Sequence, residues 1–327
     1  MENFEKTPLD QLEEAGVILS KRGWRWLYLC LTFFIGVITV LLLLTKGEYG
    51  WTLFLAIPFT VSFVMGFIGA PKPETGCVTI LVRSLIGLLI TGALLMAAGA
   101  EGGICFLMAA GLLILPTGLG LFFGRLLGSA HLQTNKMYIL GLFILINPST
   151  LTYDLLDHSQ VEATTTTEII INAADTMIWK KLTQKVEFNK SNNFFLKAGI
   201  SYPLDMELQQ VDNQYFLKCN TTNGFANLRV DTLIQNKKMV FKPEQEVVPM
   251  REMSIYPKID APHLHGYFEN QYGMFEIEPL SAGQCRVRAQ THYTYRITPV
   301  WYWALWSDYL VDKMHQNVLN KIKMDCE

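Results

Sequence analysis

The six cysteines, Cys30, Cys77, Cys105, Cys219, Cys285 and Cys326, form no CxxC pair. That removes the spacing of a zinc ribbon or a thioredoxin-type motif and leaves a bond between Cys219 and Cys285 open. Positive charge is not in excess either. With 27 Lys and Arg against 29 Asp and Glu, the formal charge of −2 gives no footprint for nucleic acid, and none is expected as a partner. No glycine-rich phosphate loop, nucleophile elbow or HExxH occurs. No cofactor is expected. Charge is also missing over one long region: residues 24 to 153 are almost uncharged, while 160 to 327 carry most of it. The 50% hydrophobic composition is therefore an average over two halves. The reading is a tail at 1–23, a multi-pass transmembrane module at 24–156 and a globular domain at 160–327, which is long enough to bury its own core.

Five apolar runs make up the first half, at 24–45, 51–70, 78–98, 104–124 and 137–153. The first four have the ~20 residues that a helix needs to cross ~30 Å of hydrocarbon. Connections such as "KGEYG" and "AGAEGG" are short, so neighbouring helices run antiparallel. Trp24, Trp26, Tyr49 and Trp51 stand at run ends, where aromatic belts form. Lys21, Arg22, Arg25, Lys72, Arg83, Arg125 and Lys136 fall on one side and only Lys46 on the other. The positive-inside rule then puts the N-terminus in the cytoplasm and, after five crossings, the globular domain outside it. The fifth run is the short one, interrupted by Asn147-Pro148-Ser149, and if it only lies at the interface the domain faces the cytoplasm instead. No Asp or Glu lies within any run, so a channel or carrier lacks its charged groups. Gly120, Gly124 and Gly128 recur at spacing four, which suits close helix packing. Ahead of the runs, "TPLDQLEEAG" reads as a short helix with Thr7 as N-cap and Gly16 as its stop.

From residue 160 the periodicity changes. "TTTTEIIINA" is β-branched and reads as a strand. "AADTMIWKKLTQ" and "NNFFLKAG" read as short helices. Strands follow in "MELQQV", "QYFLKCNTT", "ANLRVDTLI", "KMVFKPE", "HLHGYFE", "GMFEIEPL" and "CRVRAQTHYTYRIT", with turns at "VDNQ", "TNG", "QNKK" and "LSAGQ". In the last strand Val287, Ala289, Thr291, Tyr293, Tyr295 and Ile297 share one face, and Arg286, Arg288, Gln290, His292 and Arg296 the other. After Pro299 the pattern turns helical, with Trp303, Trp306, Leu310, Met314, Val318 and Ile322 at steps of three and four. "VWYWALW" is too short to span a bilayer, so it opens a long helix whose apolar stripe needs cover, and the preceding sheet can supply it.

This order of elements resembles the START-like superfamily, also called SRPBCC or polyketide cyclase/dehydrase and lipid-transport proteins. The residues that carry the resemblance are "INAADTMIWKKL", "VVPMREMSIYP", "HLHGYFENQYGMFEI", "THYTYRITPVWYWALWSDYLVDKMHQNVLNKIK" and the closing "DCE". The resemblance implies a helix-grip fold, an antiparallel sheet wrapped around the C-terminal helix with an apolar pocket between them. The family's glycine-rich turn is replaced here by "YPLDMELQQVDN". Alternation puts Phe275, Ile277, Tyr293 and Tyr295 on the pocket side, and the helices add Trp179, Phe195, Trp303 and Trp306; each is also ordinary core material.

Catalytic signals are sparse. His263 and His265 could hold a metal only if His292 or Glu269 completed the set, and no spacing provides that. His315 reads as a surface or rim residue of the terminal helix. The arginines of the last strand read as solvated, and Glu244, Glu246 and Glu252 flank a proline-containing loop. The function expected is a membrane-anchored module that binds or transfers a hydrophobic, lipid-like ligand, with membrane lipids as partners. The alternatives are an enzyme of cyclase or dehydratase type on an apolar substrate, and a regulatory protein without ligand.

Overall fold

The computed structural model describes residues 50–70, 76–97, 102–129, 145–157, 160–245, 248–254, 256, 266 and 268–327. The expected helix at 7–16, the apolar run at 24–45 and the pair His263 and His265 lie outside them, as does 137–144 of the fifth run. The described chain forms two compact units. One holds Trp51–Leu89 and Leu113–Leu156, the other Ile90–Leu112 and Asp157–Glu327.

In the first unit a π-helical turn, Thr52–Ala56, leads into α1, Ile57–Gly69. Helices α2, Cys77–Ala97, and α3, Gly103–Ser129, follow, the first giving its part up to Leu89 and the second its part from Leu113 to this unit, then α4, Ile146–Leu156. The glycine repeat packs α3 directly on α1. A Cβ at Gly120, Gly124 or Gly128 would lie 2.2, 2.1 or 2.5 Å from the carbonyl oxygens of Phe59, Phe63 and Phe67. Backbone therefore meets backbone along three turns, the use of small residues expected where helices pack without large side chains between them. The buried carboxylate of Asp154 accepts from the backbone N–H groups of Trp51 (3.1 Å) and Thr52 (2.8 Å), satisfying donors that a helix start leaves orphaned. Asn147-Pro148-Ser149 falls in the first turn of α4, where the missing N–H of Pro148 costs nothing, and α4 runs on to Leu156.

Among the described residues one helix, Gly103–Ser129, is long and apolar enough to cross a membrane, with a mean hydropathy of 2.2 over its best window; Thr52–Phe67 is a shorter apolar stretch. The expected bundle of five crossings is not carried by the described residues.

The second unit is built on one eight-stranded antiparallel sheet in the order β1-β8-β7-β6-β5-β4-β3-β2. The strands are β1 Val161–Ile171, β2 Val186–Glu187, β3 Pro203–Val211, β4 Gln214–Thr221, β5 Gly224–Ile234, β6 Lys238–Pro243, β7 Phe268–Ser281 and β8 Gln284–Tyr295. Helices α5, Asp175–Thr183, and α6, Phe194–Ala198, lie between β1 and β3, and α7, Val300–Cys326, closes the chain. The sheet curls around α7, so the plan is a helix-grip.

Local chemistry explains the boundaries. The β3–β4 turn dispenses with glycine because Asp212 (φ 48°) and Asn213 (φ 67°) take the left-handed conformation that short polar side chains tolerate. Asn193 caps α6, its Oδ1 accepting from the N–H groups of Phe195 and Leu196. "HLHGYFE" and "GMFEIEPL" are not two strands. From Phe268 onward they form the single strand β7, with an irregularity between Asn270 and Tyr272 that lets it bend without a turn. On β8 the odd positions Cys285 to Tyr295 are all buried, as the alternation requires. On the outer face Arg286 and Arg288 pair with Glu168, Glu276 and Glu278 at 2.6–3.6 Å, so these arginines form a cross-strand ion-pair ladder.

Candidate functional site

The interior between sheet and α7 changes character along its length. At one end Ile171, Val287, Ala289, Phe275 and Ile277 meet Val318, Leu319 and Ile322 in a dry core that includes Trp179 of α5. At the other end the inner-face positions of β1 are Thr165 and Thr167, and those of β8 are Thr291 and Tyr293. Opposite them α7 presents Asp308, Asp312 and His315. The spacings of four and three put all three on one helix face.

These groups bond pairwise across the interface. Thr165 Oγ1 donates to Asp308 Oδ1 at 2.7 Å, and Tyr293 OH donates to the same oxygen at 3.0 Å. Thr167 Oγ1 donates to Asp312 Oδ1 at 2.7 Å. His315 is 6% exposed and lies between two hydroxyls, Thr167 Oγ1 at 3.1 Å from Nδ1 and Thr291 Oγ1 at 2.8 Å from Nε2. Thr167 has committed its hydrogen to Asp312, so it can only accept from His315. Nδ1 therefore carries the hydrogen, and Nε2 accepts from Thr291. The imidazole is neutral: burial pushes its pKa down to about 4, with Asp312 pulling weakly the other way. Burial raises the pKa of the Tyr293 phenol, so it stays a donor.

Asp308 is the exposed member of the set. Oδ1 accepts both hydroxyls, whereas Oδ2 has no hydrogen bond among the described residues. On either side of it in sequence, Trp306 and Tyr309 form an aromatic cluster with Phe195 of α6. The Phe195 ring lies 5.0 Å from Trp306 and 6.2 Å from Tyr309, each edge-on. Asn193 Nδ2 donates to Tyr309 OH at 2.8 Å and ties α6 to the same turn of α7. The result is a carboxylate with one free oxygen, backed by a buried phenol, on the turn of α7 that also carries the aromatic residues Trp306 and Tyr309. Replacing Asp308 with Ala should leave the Thr165 and Tyr293 hydroxyls without their acceptor and lower stability by roughly 1–3 kcal/mol. Thermal unfolding of the full chain measures this, and an unchanged midpoint would refute the bond pattern.

The eight residues expected at the pocket are thus divided. Trp179, Phe275 and Ile277 belong to the dry core. Tyr293 belongs to the polar end, and Tyr295 and Trp303 are buried. Phe195 and Trp306 form the aromatic wall. His315 is not a rim residue. It is buried, because hydroxyls of β1 and β8 supply the polar partners that the helix sequence does not show. His292 lies on the outer face, bonded to Thr164 Oγ1 at 2.8 Å and stacked on Tyr272, and so has no access to the interior. Asp308, Asp312, Thr165 and Thr167 were missed. Their only trace in the sequence is the alternation of "TTTTEIII", which puts two threonines on the same face as Ile169 and Ile171. Cys219 and Cys285 are both free thiols.

No family model matches the chain, and no curated protein matches it. Solved structures similar to it include a START superfamily protein from Mycobacterium smegmatis, at 10% identity over 50% of this chain and 96% of that one (TM-score 0.30). Norcoclaurine synthase from Thalictrum flavum, in complex with dopamine and hydroxybenzaldehyde, is similar at 10% identity over 51% and 87% (TM-score 0.31). The Zhui aromatase/cyclase from a Streptomyces species is similar at 9% identity over 51% and 94% (TM-score 0.32). At such scores these likenesses carry no argument, and the helix-grip assignment rests on the strand order and on α7.

Proposed function

We propose that this chain is a membrane-anchored module whose helix-grip domain binds an apolar ligand bearing a hydroxyl or amine. One observation carries the reading: Asp308 keeps one oxygen free at the end of the interior where hydroxyls replace core side chains, on the turn of α7 that also carries Trp306 and Tyr309 of the aromatic cluster. A small number of polar groups against aromatic surface is how apolar ligands are oriented. A carboxylate acceptor selects a ligand with a hydrogen to donate.

Anchoring is supported by α3, and the side of the membrane by how the domain meets the α2–α3 ends. Gly103 N donates to Met253 O at 2.9 Å, and Tyr256 OH donates to Ala97 O at 2.6 Å. These bonds support a reading in which the domain lies on the side of the α2–α3 connection, whose sequence "AGAEGG" has no Lys or Arg. By the positive-inside rule that side is extracytoplasmic. A reporter fused after Glu327 tests this and should be active only outside the cytoplasm.

The ligand is tested by extracting the detergent-purified full chain and analysing the extract by mass spectrometry. The wild-type chain should carry an apolar molecule with a hydroxyl or amine. Asp308→Asn, which keeps the shape and replaces one oxygen by a donor, should retain at least about tenfold less, the cost of about 1.4 kcal/mol for one lost charge-assisted bond. An empty wild-type chain, or equal retention by both, would sink the reading.

A further inference from the structure

The start of α7 carries large apolar side chains that no described protein surface covers. Trp301 is 57% and Leu305 67% exposed, and their spacing of four puts them on one face. Residues 300–307 contain no charge. Between the two, Tyr302 faces α3: its hydroxyl donates to Met108 O at 2.5 Å, and a Cβ at Gly111 would lie 3.0 Å from that hydroxyl. Leu107, next to Met108 on α3, is 46% exposed.

The height of this contact along α3 is informative. The 27 residues of α3 at ~1.5 Å each make roughly 40 Å. Against ~30 Å of hydrocarbon, about 10 Å is left for the interfacial layers. Met108 and Gly111 lie about 8 and 12 Å from the Gly103 end of the helix. With that length shared between the two ends, about 5 Å each, the Tyr302 contact falls roughly 3–7 Å inside the hydrocarbon edge, next to the interfacial layer. Trp and Tyr partition to that level because one edge is apolar and the other wants a hydrogen bond.

We propose that Trp301 and Leu305 insert into the interfacial layer of the bilayer that α3 crosses, and that the occupant of this surface is phospholipid. The inference rests on the anchored reading above and deepens it. Asp308 follows Leu305 by three residues, so the insertion holds the carboxylate and its aromatic wall at the membrane surface. A ligand then enters from lipid, with its apolar part never crossing water, and its hydroxyl or amine meets Asp308 at the head-group level.

The test places the photo-crosslinker p-benzoylphenylalanine at position 305 of the full chain and, in separate variants, at position 301 and at the solvated turn residue Lys237. Each variant is reconstituted in vesicles of phosphatidylcholine and phosphatidylglycerol, irradiated and analysed by mass spectrometry. Lipid adducts at 305 or 301, several-fold above those at 237, are expected; two sites on one face guard against a variant that fails to fold. Equal adducts at all three sites, none at 301 and 305, or adducts to protein alone would overturn the proposal. Release of the wild-type chain by carbonate would sink the anchoring and the insertion together. Retention of the extracted ligand despite absent lipid adducts would overturn the insertion and leave the ligand reading standing.

Discussion

Replacing Gly120 or Gly124 with Ala should destabilise the chain by about 1–3 kcal/mol or more, while the same change at Gly118, on the same helix, should be neutral or slightly stabilising. The difference is local geometry. The added methyl carbon would meet Phe59 O at 2.2 Å and Phe63 O at 2.1 Å, but at Gly118 nothing lies within 4 Å. The obstructing atoms are backbone carbonyls of α1, so no rotamer change can relieve the overlap and the helices must move apart. Separation would also cost the van der Waals contact along the Gly120–Gly128 seam, which is the main attraction between helices where both surfaces are apolar. Thermal unfolding of the detergent-purified chain, with all three variants in parallel, measures it. Equal midpoints for Gly118→Ala and Gly124→Ala would show that the seam does not hold the two helices.

Acidification should destabilise the second unit through His315. Its imidazole is neutral in the fold, with its pKa lowered to about 4 by burial, and in the unfolded chain it returns to the ordinary range near 6.5. Between these values the unfolded chain binds the extra proton. Stability therefore falls as pH drops from about 6.5, by up to about 3 kcal/mol near pH 4. Charging the ring also demands that Nε2 become a donor, and Thr291 must then accept and lose its own acceptor. Asp312 offsets part of this, since it favours the charged ring. His315→Gln keeps one donor and one acceptor but does not titrate. Denaturant unfolding followed from pH 7 to pH 4 should show a shallower fall for the variant than for the wild-type chain. Parallel profiles would place the acid-sensitive group elsewhere.

These two tests probe features of different legibility. The glycine seam could be read directly from Gly120, Gly124 and Gly128, because spacing four defines one helix face and a missing side chain has one common use there. His315 could not be read. A helix pattern scores apolar residues, and by that measure Met314 belonged to the buried stripe and His315 did not. In the structure the buried positions are Trp303, Leu310, Val311, His315, Val318, Leu319, Ile322 and Cys326, so the stripe keeps Trp303, Leu310, Val318 and Ile322 and widens to take in His315. His315 joins the buried face because Thr167 and Thr291 offer hydroxyls to its two ring nitrogens, which makes burial of an imidazole cheap only when both are present. The same limit applies to Asp308. Its neighbours Trp306 and Tyr309 stood out in the sequence, but nothing there tied the carboxylate to a threonine 143 residues earlier.

By itself, the sequence determined the division into an apolar half and a mixed half, the strand alternation of β1 and β8, and the long terminal helix that the sheet must cover. These follow from local periodicity, which is a property of consecutive residues. Only the tertiary structure decided that "HLHGYFE" and "GMFEIEPL" merge from Phe268 into one bent strand, and that α7 is apolar toward the sheet at one end and polar at the other. It alone placed Tyr302 on α3. Such features depend on which groups from distant segments arrive at the same place, and a buried polar side chain is stable only if its partner arrives with it.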